Sequence, residues 1–272
     1  MSGKRLRLNR LLSPADGRAV IFPLDHGVTK GPIPGIENLA CAVEAGIRGG
    51  ADALVLHKGM LRYLESATGP LPGIFMHLSA STDPGPHPCR KVLTGSVEEA
   101  VRLGADGVSV HINMGDNFEP EMLTDLGRVS RSCLEWQMPL LVMAYIRADR
   151  LNVPGSGREV AHAARVAAEL GADVIKIPFP GDYDTVAGIT SSLPVPVMIA
   201  GGVPGDIGHI LERIEKCMLA GGSGVATGRN VFQHENPEAV LRAIADIVHR
   251  SVSAKDAVET LRTDSTTCRK KT

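Results

Sequence analysis

A short phrase returns along the chain: a glycine, a small residue and an aspartate, then an apolar run. Gly50-Ala51-Asp52 precedes Ala53-Leu54-Val55-Leu56, and Gly104-Ala105-Asp106 precedes Gly107-Val108-Ser109-Val110. Gly171-Ala172-Asp173 precedes Val174-Ile175-Lys176-Ile177, and a looser copy, Gly221-Gly222-Ser223-Gly224, precedes Val225-Ala226-Thr227. Each copy reads as a helix stopped by glycine, a tight turn and a buried strand. Repetition of that unit leaves few ways to bury the strands, and 272 residues is close to the length of one α/β barrel.

Eight strand-then-helix units can be laid out. The strands fall at 19–23, 53–56, 73–76, 108–110, 140–144, 174–177, 197–200 and 225–227. Helices are expected near 37–45, 120–135, 158–170, 207–220 and 237–251, with another capped by Ser96 and carrying Glu98 and Glu99 in its first turn. The strands are apolar and do not alternate, which marks parallel strands covered on both faces. The expectation is one α/β domain, a single (β/α)8 TIM barrel with its core at about 16–252. The basic, half-apolar stretch from Lys4 to Leu12 is expected to close the barrel bottom as a short helix, and the polar tail from Thr263 to fray. The rival, an open doubly wound sheet, needs a Gly-rich dinucleotide turn after an early strand, and the sequence has none. The Pro-rich run Asp83-Pro84-Gly85-Pro86-His87-Pro88 must be a loop.

Composition narrows the function classes. Aromatics make up only 3% of residues, so aliphatic side chains must fill the interior. A net charge of −1 gives no electrostatic footprint for nucleic acid or an anionic membrane. Five cysteines are scattered singly without a C-x-x-C pair, as expected of reduced thiols in a cytoplasm. No apolar run approaches the roughly 20 residues of a membrane span.

In a barrel of this kind the reactive groups sit at the C-terminal ends of the strands. Lys176 stands where the other copies of the repeat carry an apolar or small residue. Pointing inward or outward, it meets apolar surroundings, which disfavour an ammonium and lower a lysine pKa. A neutral amine is what attack on a ketone requires. Lys176 is therefore a Schiff-base nucleophile, or else a lysine that reaches the strand end or pairs with Asp25. Tyr145, ending strand five, is a proton relay or a packed rim residue. Asp25, in Asp25-His26-Gly27, holds Lys176 or protonates a carbinolamine hydroxyl, or only caps a turn. Gly201-Gly202 and Gly228-Arg229 occupy the loops after strands seven and eight, where bare amides commonly meet phosphate and Arg229 could add charge-assisted bonds. Otherwise they serve tight turns alone. His26, His57, His77 and His111 follow strands one to four. They form either a ring for a divalent metal, although no H-x-H or H-x-x-x-H spacing supports it, or satisfied polar positions around the pocket.

Taken together these residues resemble the archaeal-type class I aldolase family, over almost the whole chain from Arg7 to Arg262. The resemblance rests on Pro23-Leu24-Asp25-His26-Gly27-Val28 through Gly31-Pro32, on His57-Lys58-Gly59, and on His77-Leu78-Ser79. It continues through Gly104-Ala105-Asp106 to His111-Ile112-Asn113, Ala200-Gly201-Gly202 and Gly228 through His234. Through His57-Lys58-Gly59 and the stretch Lys91 to Asn113, the chain more closely resembles the branch of 2-amino-3,7-dideoxy-D-threo-hept-6-ulosonate synthases and related aspartate-semialdehyde aldolases than the sugar-bisphosphate branch.

The resemblance implies Lys176 as the Schiff-base lysine, Tyr145 as the proton relay and Asp25 as the aspartate beside the lysine. His26, His111, Arg147, Gly201, Gly202, Gly228 and Arg229 would bind substrate and phosphate. It implies no cofactor and no metal. The substrates would be a phosphorylated keto-sugar fragment and an aldehyde, aspartate semialdehyde in this branch. It also implies a homo-oligomer of two pentamers. Fructose-bisphosphate aldolase, a metal-dependent lyase and a non-catalytic phosphate-binding barrel are the alternatives. Three departures surround the substrate: Val203-Pro204 where the family has Pro-Lys, Ile177-Pro178-Phe179-Pro180 after the lysine, and Ile146-Arg147 where the family often has Pro-Arg.

Overall fold

The computed structural model describes residues 2–147 and 155–268, with side chains described to residue 263. Eight parallel strands close on themselves: β1 (Ala19–Pro23), β2 (Ala53–Leu56), β3 (Gly73–His77), β4 (Gly107–Met114), β5 (Leu140–Ile146), β6 (Val174–Ile177), β7 (Val197–Ala200) and β8 (Gly224–Ala226). Each pairs with the next in sequence, and β8 returns to β1 through Gly224 opposite Ala19. The expected (β/α)8 barrel is the fold.

Strand side chains alternate between two cores. Val20, Phe22, Leu54, Val142, Ile175 and Ile177 face outward under the helices. Ile21, Val55, Phe75, Leu141, Met143 and Val174 face the barrel axis. Both sets are buried, which is why the strands show no polar alternation in sequence. Three strands extend past their expected ends, β3 to His77, β4 to Met114 and β5 to Ile146.

Helix α1 (Gly3–Leu11) forms the floor, with Ser2 as its N-cap. Leu11 is fully buried and packs with the inward strand residues, closing the lower end. Burial of one such leucine contributes roughly 2 kcal/mol.

The repeated phrase does more than turn the chain. Gly50, Gly104, Gly171 and Gly221 all adopt positive φ, between 76° and 98°, where a Cβ is disfavoured. Each following aspartate then clamps the start of the preceding barrel strand. Val20 N–H donates to the Asp52 carboxylate at 2.6 Å while Asp52 N–H donates to the Val20 carbonyl at 3.0 Å. Ile74 and Asp106 make the same reciprocal pair at 3.0 and 2.9 Å, and Leu140 and Asp173 at 2.9 and 2.9 Å. A cation meets each carboxylate: His249 on Asp52 at 2.9 Å, Arg10 on Asp106 at 2.7 Å and Lys4 on Asp173 at 2.8 Å. Lys4 and Arg10 belong to α1, so the aspartates also fasten the floor to the barrel. The looser fourth copy carries Ser223, whose amide donates to the Val197 carbonyl.

Between the strands run α2 (His26–Lys30), α3 (Leu39–Arg48), α4 (Val97–Arg102), α5 (Glu119–Glu135), α6 (Gly157–Glu169), α7 (Tyr183–Ser192), α8 (Ile207–Leu219), α9 (Arg229–Phe232) and α10 (Pro237–Arg250). Ser96 and Ser156 start α4 and α6 with capping boxes closed by Glu99 and Glu159. A further helix, α11 (Ala254–Cys268), packs Ala254, Ala257 and Leu261 against the body. The chain is thus helical through Cys268, and 269–272 lie outside the described residues. Cys41, Cys89, Cys133 and Cys217 are free thiols. Among the described residues no helix is long and apolar enough to cross a membrane.

Candidate active site

The C-terminal mouth of the barrel holds a cavity of about 490 Å³. Lys176 reaches it by strand geometry. Ile175 and Ile177 pack outward and Val174 packs inward, so Lys176, two residues beyond Val174, shares the inward face. Its register partners are Met143 on β5 and Met198 on β7. Lys176 is 8% exposed and lines the cavity.

Tyr145 enters from β5, two residues beyond the inward Met143. Its ring stacks on His111, with centroids 4.8 Å apart and planes at 22°. The Arg147 guanidinium lies 5.3 Å from the same ring's centroid. Asn113 Nδ2 donates to the Cys89 carbonyl at 2.6 Å, which turns Asn113 Oδ1 toward His111 Nε2 at 3.0 Å. That network assigns the imidazole proton to Nε2. Burial, helped by Lys91 and His77, pushes His111 well below the ordinary histidine range, so the ring is neutral.

Asp25 sits at the N-cap of α2 yet makes no capping hydrogen bond. Its carboxylate faces His77 Nε2 at 3.7 Å and His26 Nδ1 at 3.6 Å. His77 Nδ1 is 2.8 Å from Ser109 Oγ, and the His57 ring meets His77 edge-on at 5.2 Å. Burial works to raise the Asp25 carboxyl, but His77, His26, Lys176 and His57 together hold it far below the usual carboxylate range. Burial pushes His77 down to about 4 against the pull of Asp25. Asp25 is therefore an anion set among neutral imidazoles, with the lysine near enough to act on its charge.

The loops after β7 and β8 are tied together. Arg213 and Asn230 donate to the Gly201 carbonyl at 2.6 and 2.9 Å, and Arg229 donates to the Gly202 carbonyl at 3.2 Å. The Gly201 amide donates to the Ala226 carbonyl, so it remains in the barrel ladder. Gly228 starts α9, and a Cβ there would lie 2.6 Å from His26 Cε1 and 2.8 Å from the Pro23 carbonyl oxygen. Among the described residues, three buried polar atoms at this side lack a hydrogen-bond partner: His26 Nδ1, Thr227 Oγ1 and Asn230 Oδ1. Such atoms are costly unless something else satisfies them.

Of the residues expected from sequence, Asp25, His26, His111, Tyr145, Arg147, Lys176 and Arg229 line one cavity. Gly201, Gly202 and Gly228 lie behind Arg229 and not on the cavity wall. Lys58 turns away to Glu99 at 3.0 Å. Among the described residues no group of three or more His, Cys, Asp or Glu is arranged to hold a metal ion. Sequence reading missed Thr29, Lys30, Ser79, Asp83 and Lys91, which also line the cavity. Ser79–Ala80 and Val92–Leu93 pair antiparallel across the Pro-rich loop and carry Ser79, Asp83 and Lys91 over the mouth, while Thr29 and Lys30 come from α2.

Compared with known families, residues 19–234 match the DeoC/LacD family aldolases. The chain belongs to that family. This aldolase is 40% identical over 249 residues to the 2-amino-4,5-dihydroxy-6-oxo-7-(phosphonooxy)heptanoate synthase of Streptomyces griseus, covering 91% of each chain. It is 38% identical over 259 residues to 2-amino-3,7-dideoxy-D-threo-hept-6-ulosonate synthase 1 of Archaeoglobus fulgidus, covering 95% of this chain and 96% of the relative. Among solved structures it is similar to an archaeal fructose-1,6-bisphosphate aldolase whose catalytic lysine is covalently bound to the substrate's carbinolamine. That match has 30% identity and a TM-score of 0.80, over 90% of this chain and 99% of the other.

Proposed function

We propose that this aldolase forms a Schiff base on Lys176 with a phosphorylated ketone and adds the resulting enamine to aspartate semialdehyde. The carrying observation is the placement of Lys176, inward on β6 and lining the same cavity as Tyr145 and Asp25. The amine, once free of its proton, adds to the ketone carbon, and loss of water gives the iminium. Tyr145 moves the proton from the adjacent carbon, and the enamine forms a carbon–carbon bond with the aldehyde. Water then releases the ketone product and frees the lysine. The Asp25 anion offsets positive charge at the nitrogen. The phosphate belongs near Arg229, whose side chain lines the cavity from the loop after β8 and can form charge-assisted bonds to an anion.

The acceptor follows from chemistry. The Streptomyces product name describes a seven-carbon chain with hydroxyls on carbons 4 and 5, a ketone on carbon 6 and a phosphate on carbon 7. Cutting between carbons 4 and 5 gives aspartate semialdehyde and dihydroxyacetone phosphate. A deoxy-ketohexose phosphate that releases a three-carbon fragment is the corresponding donor for a transaldolase.

Borohydride reduction with dihydroxyacetone phosphate tests this reading. A mass adduct on Lys176, absent in Lys176→Met, is the expected result. No adduct, or an adduct on another lysine, would overturn it.

A further inference from the structure

The cavity carries cations that its own carboxylates do not match. Asp83 is paired with Lys30 at 2.9 Å, and Asp25 faces the histidines and Lys176. Among the described residues, Lys91, Arg147 and Arg229 have no carboxylate within 4 Å. They divide into two groups. Arg229 follows β8, whereas Lys91 lies between β3 and β4, and Arg147 ends β5. In a ring of eight strands β8 stands opposite β4, so the two groups face each other with Lys176 on β6 between them.

Lys91 is built into its position. The antiparallel register, Ser79 opposite Leu93 and Ala80 opposite Val92, places Lys91 opposite Ser81. Its ammonium donates to Ser81 Oγ, and that hydroxyl passes its own proton to the Pro88 carbonyl at 2.7 Å. Two of the three ammonium protons are left for the cavity. The hairpin is braced from below. His111 N–H donates to Ser79 Oγ at 3.0 Å, and Asn113 donates to the Cys89 carbonyl. Burial holds the Lys91 ammonium below the ordinary lysine range, and the opposing pull of Cys89, Asp25 and Asp83 does not fully offset it.

We propose that Lys91, assisted by Arg147, is the specificity-determining residue for the acceptor and binds the carboxylate of an anionic aldehyde. The inference rests on the Schiff-base reading of Lys176. One phosphate at Arg229 accounts for one cationic pole. The opposite pole then has no partner until an acceptor brings its own negative group. A four-carbon aldehyde ending in a carboxylate places its carbonyl toward Lys176 while its charge meets Lys91. A neutral aldehyde would leave Lys91 unsatisfied.

The test compares wild type, Lys91→Met and Lys91→Arg, with dihydroxyacetone phosphate as donor and aspartate semialdehyde or butanal as acceptor. In Lys91→Met, KM for aspartate semialdehyde should rise roughly 10- to 100-fold, the range of one charge-assisted hydrogen bond. Butanal kinetics, KM for the donor and borohydride trapping on Lys176 should all stay at the wild-type level. Lys91→Arg should recover most of the loss. A KM for aspartate semialdehyde within twofold of wild type would overturn the proposal, as would equal loss with both aldehydes or a raised donor KM. If wild-type protein forms no borohydride adduct, the Schiff-base reading itself fails, a result distinct from these.

Discussion

His249 Nε2 and Asp52 Oδ2 meet at 2.9 Å at the closed end of the barrel, joining the last turn of α10 to the first copy of the repeated aspartate. Asp16 holds the other ring nitrogen at 2.8 Å. The hydrogen bond to Asp52, helped by Asp16, raises His249 from 6.5 to about 9. A raised folded-state pKa stabilises fully below the unfolded value and is lost as pH climbs through the folded one. His249→Ala should therefore lower the melting temperature by several degrees at pH 6, and the gap from wild type should close between pH 7 and 10. A gap that is constant with pH would assign the loss to packing alone.

Asp173 tests the floor in another way. Asp173→Ala removes the acceptor of Leu140 N–H and the partner of Lys4 together. A cost of about 2 kcal/mol is expected, or roughly 4–8 °C in melting temperature. Turnover per folded molecule should stay within twofold of wild type, because the substitution lies at the opposite end from the cavity. Thermal denaturation and steady-state kinetics on one preparation check both statements.

Tyr145→Phe keeps the ring that stacks on His111 and removes the hydroxyl. If the phenol moves the proton, kcat should fall on the order of 100- to 10,000-fold. Reduction with borohydride should still yield the Lys176 adduct, because imine formation precedes that proton transfer. Unchanged turnover would remove the phenol from the reaction.

Gly228→Ala presses a methyl against the Pro23 carbonyl and the His26 ring, and the backbone oxygen cannot move aside cheaply. The mouth must shift where Arg229 and His26 face the cavity. A loss in kcat/KM on the order of 100-fold is expected from a displacement of about an ångström. Full activity in steady-state assay would show that this loop does not set the geometry.

Much of the barrel was legible because its repeat is local. Glycine at positive φ, aspartate or serine and a short apolar run fall within one turn, so alternate strands, β2, β4, β6 and β8, were marked in the sequence. The clamp made by those aspartates was not legible. Val20 and Asp52 lie 32 residues apart, as do Ile74 and Asp106, and nothing in either segment announces the pairing. The strand ends erred for a related reason. In β4 the outward Val108, Val110 and Ile112 remain apolar, whereas the inward Ser109 and His111 turn polar as the axis opens into the cavity. Polar residues read as the end of a strand were its active face. Lys91 had no periodic signal at all, since its place depends on a pairing of two residues with two across a proline-rich loop. Lys176 was visible as a charge inside an apolar strand, but only alternation with Val174 settles which way it points.

Leu11 stoppers the base of the barrel, so the pocket opens at the opposite end. On the proposed reading, both reactants and the lengthened product use that opening. The hairpin bearing Lys91 stands at that threshold.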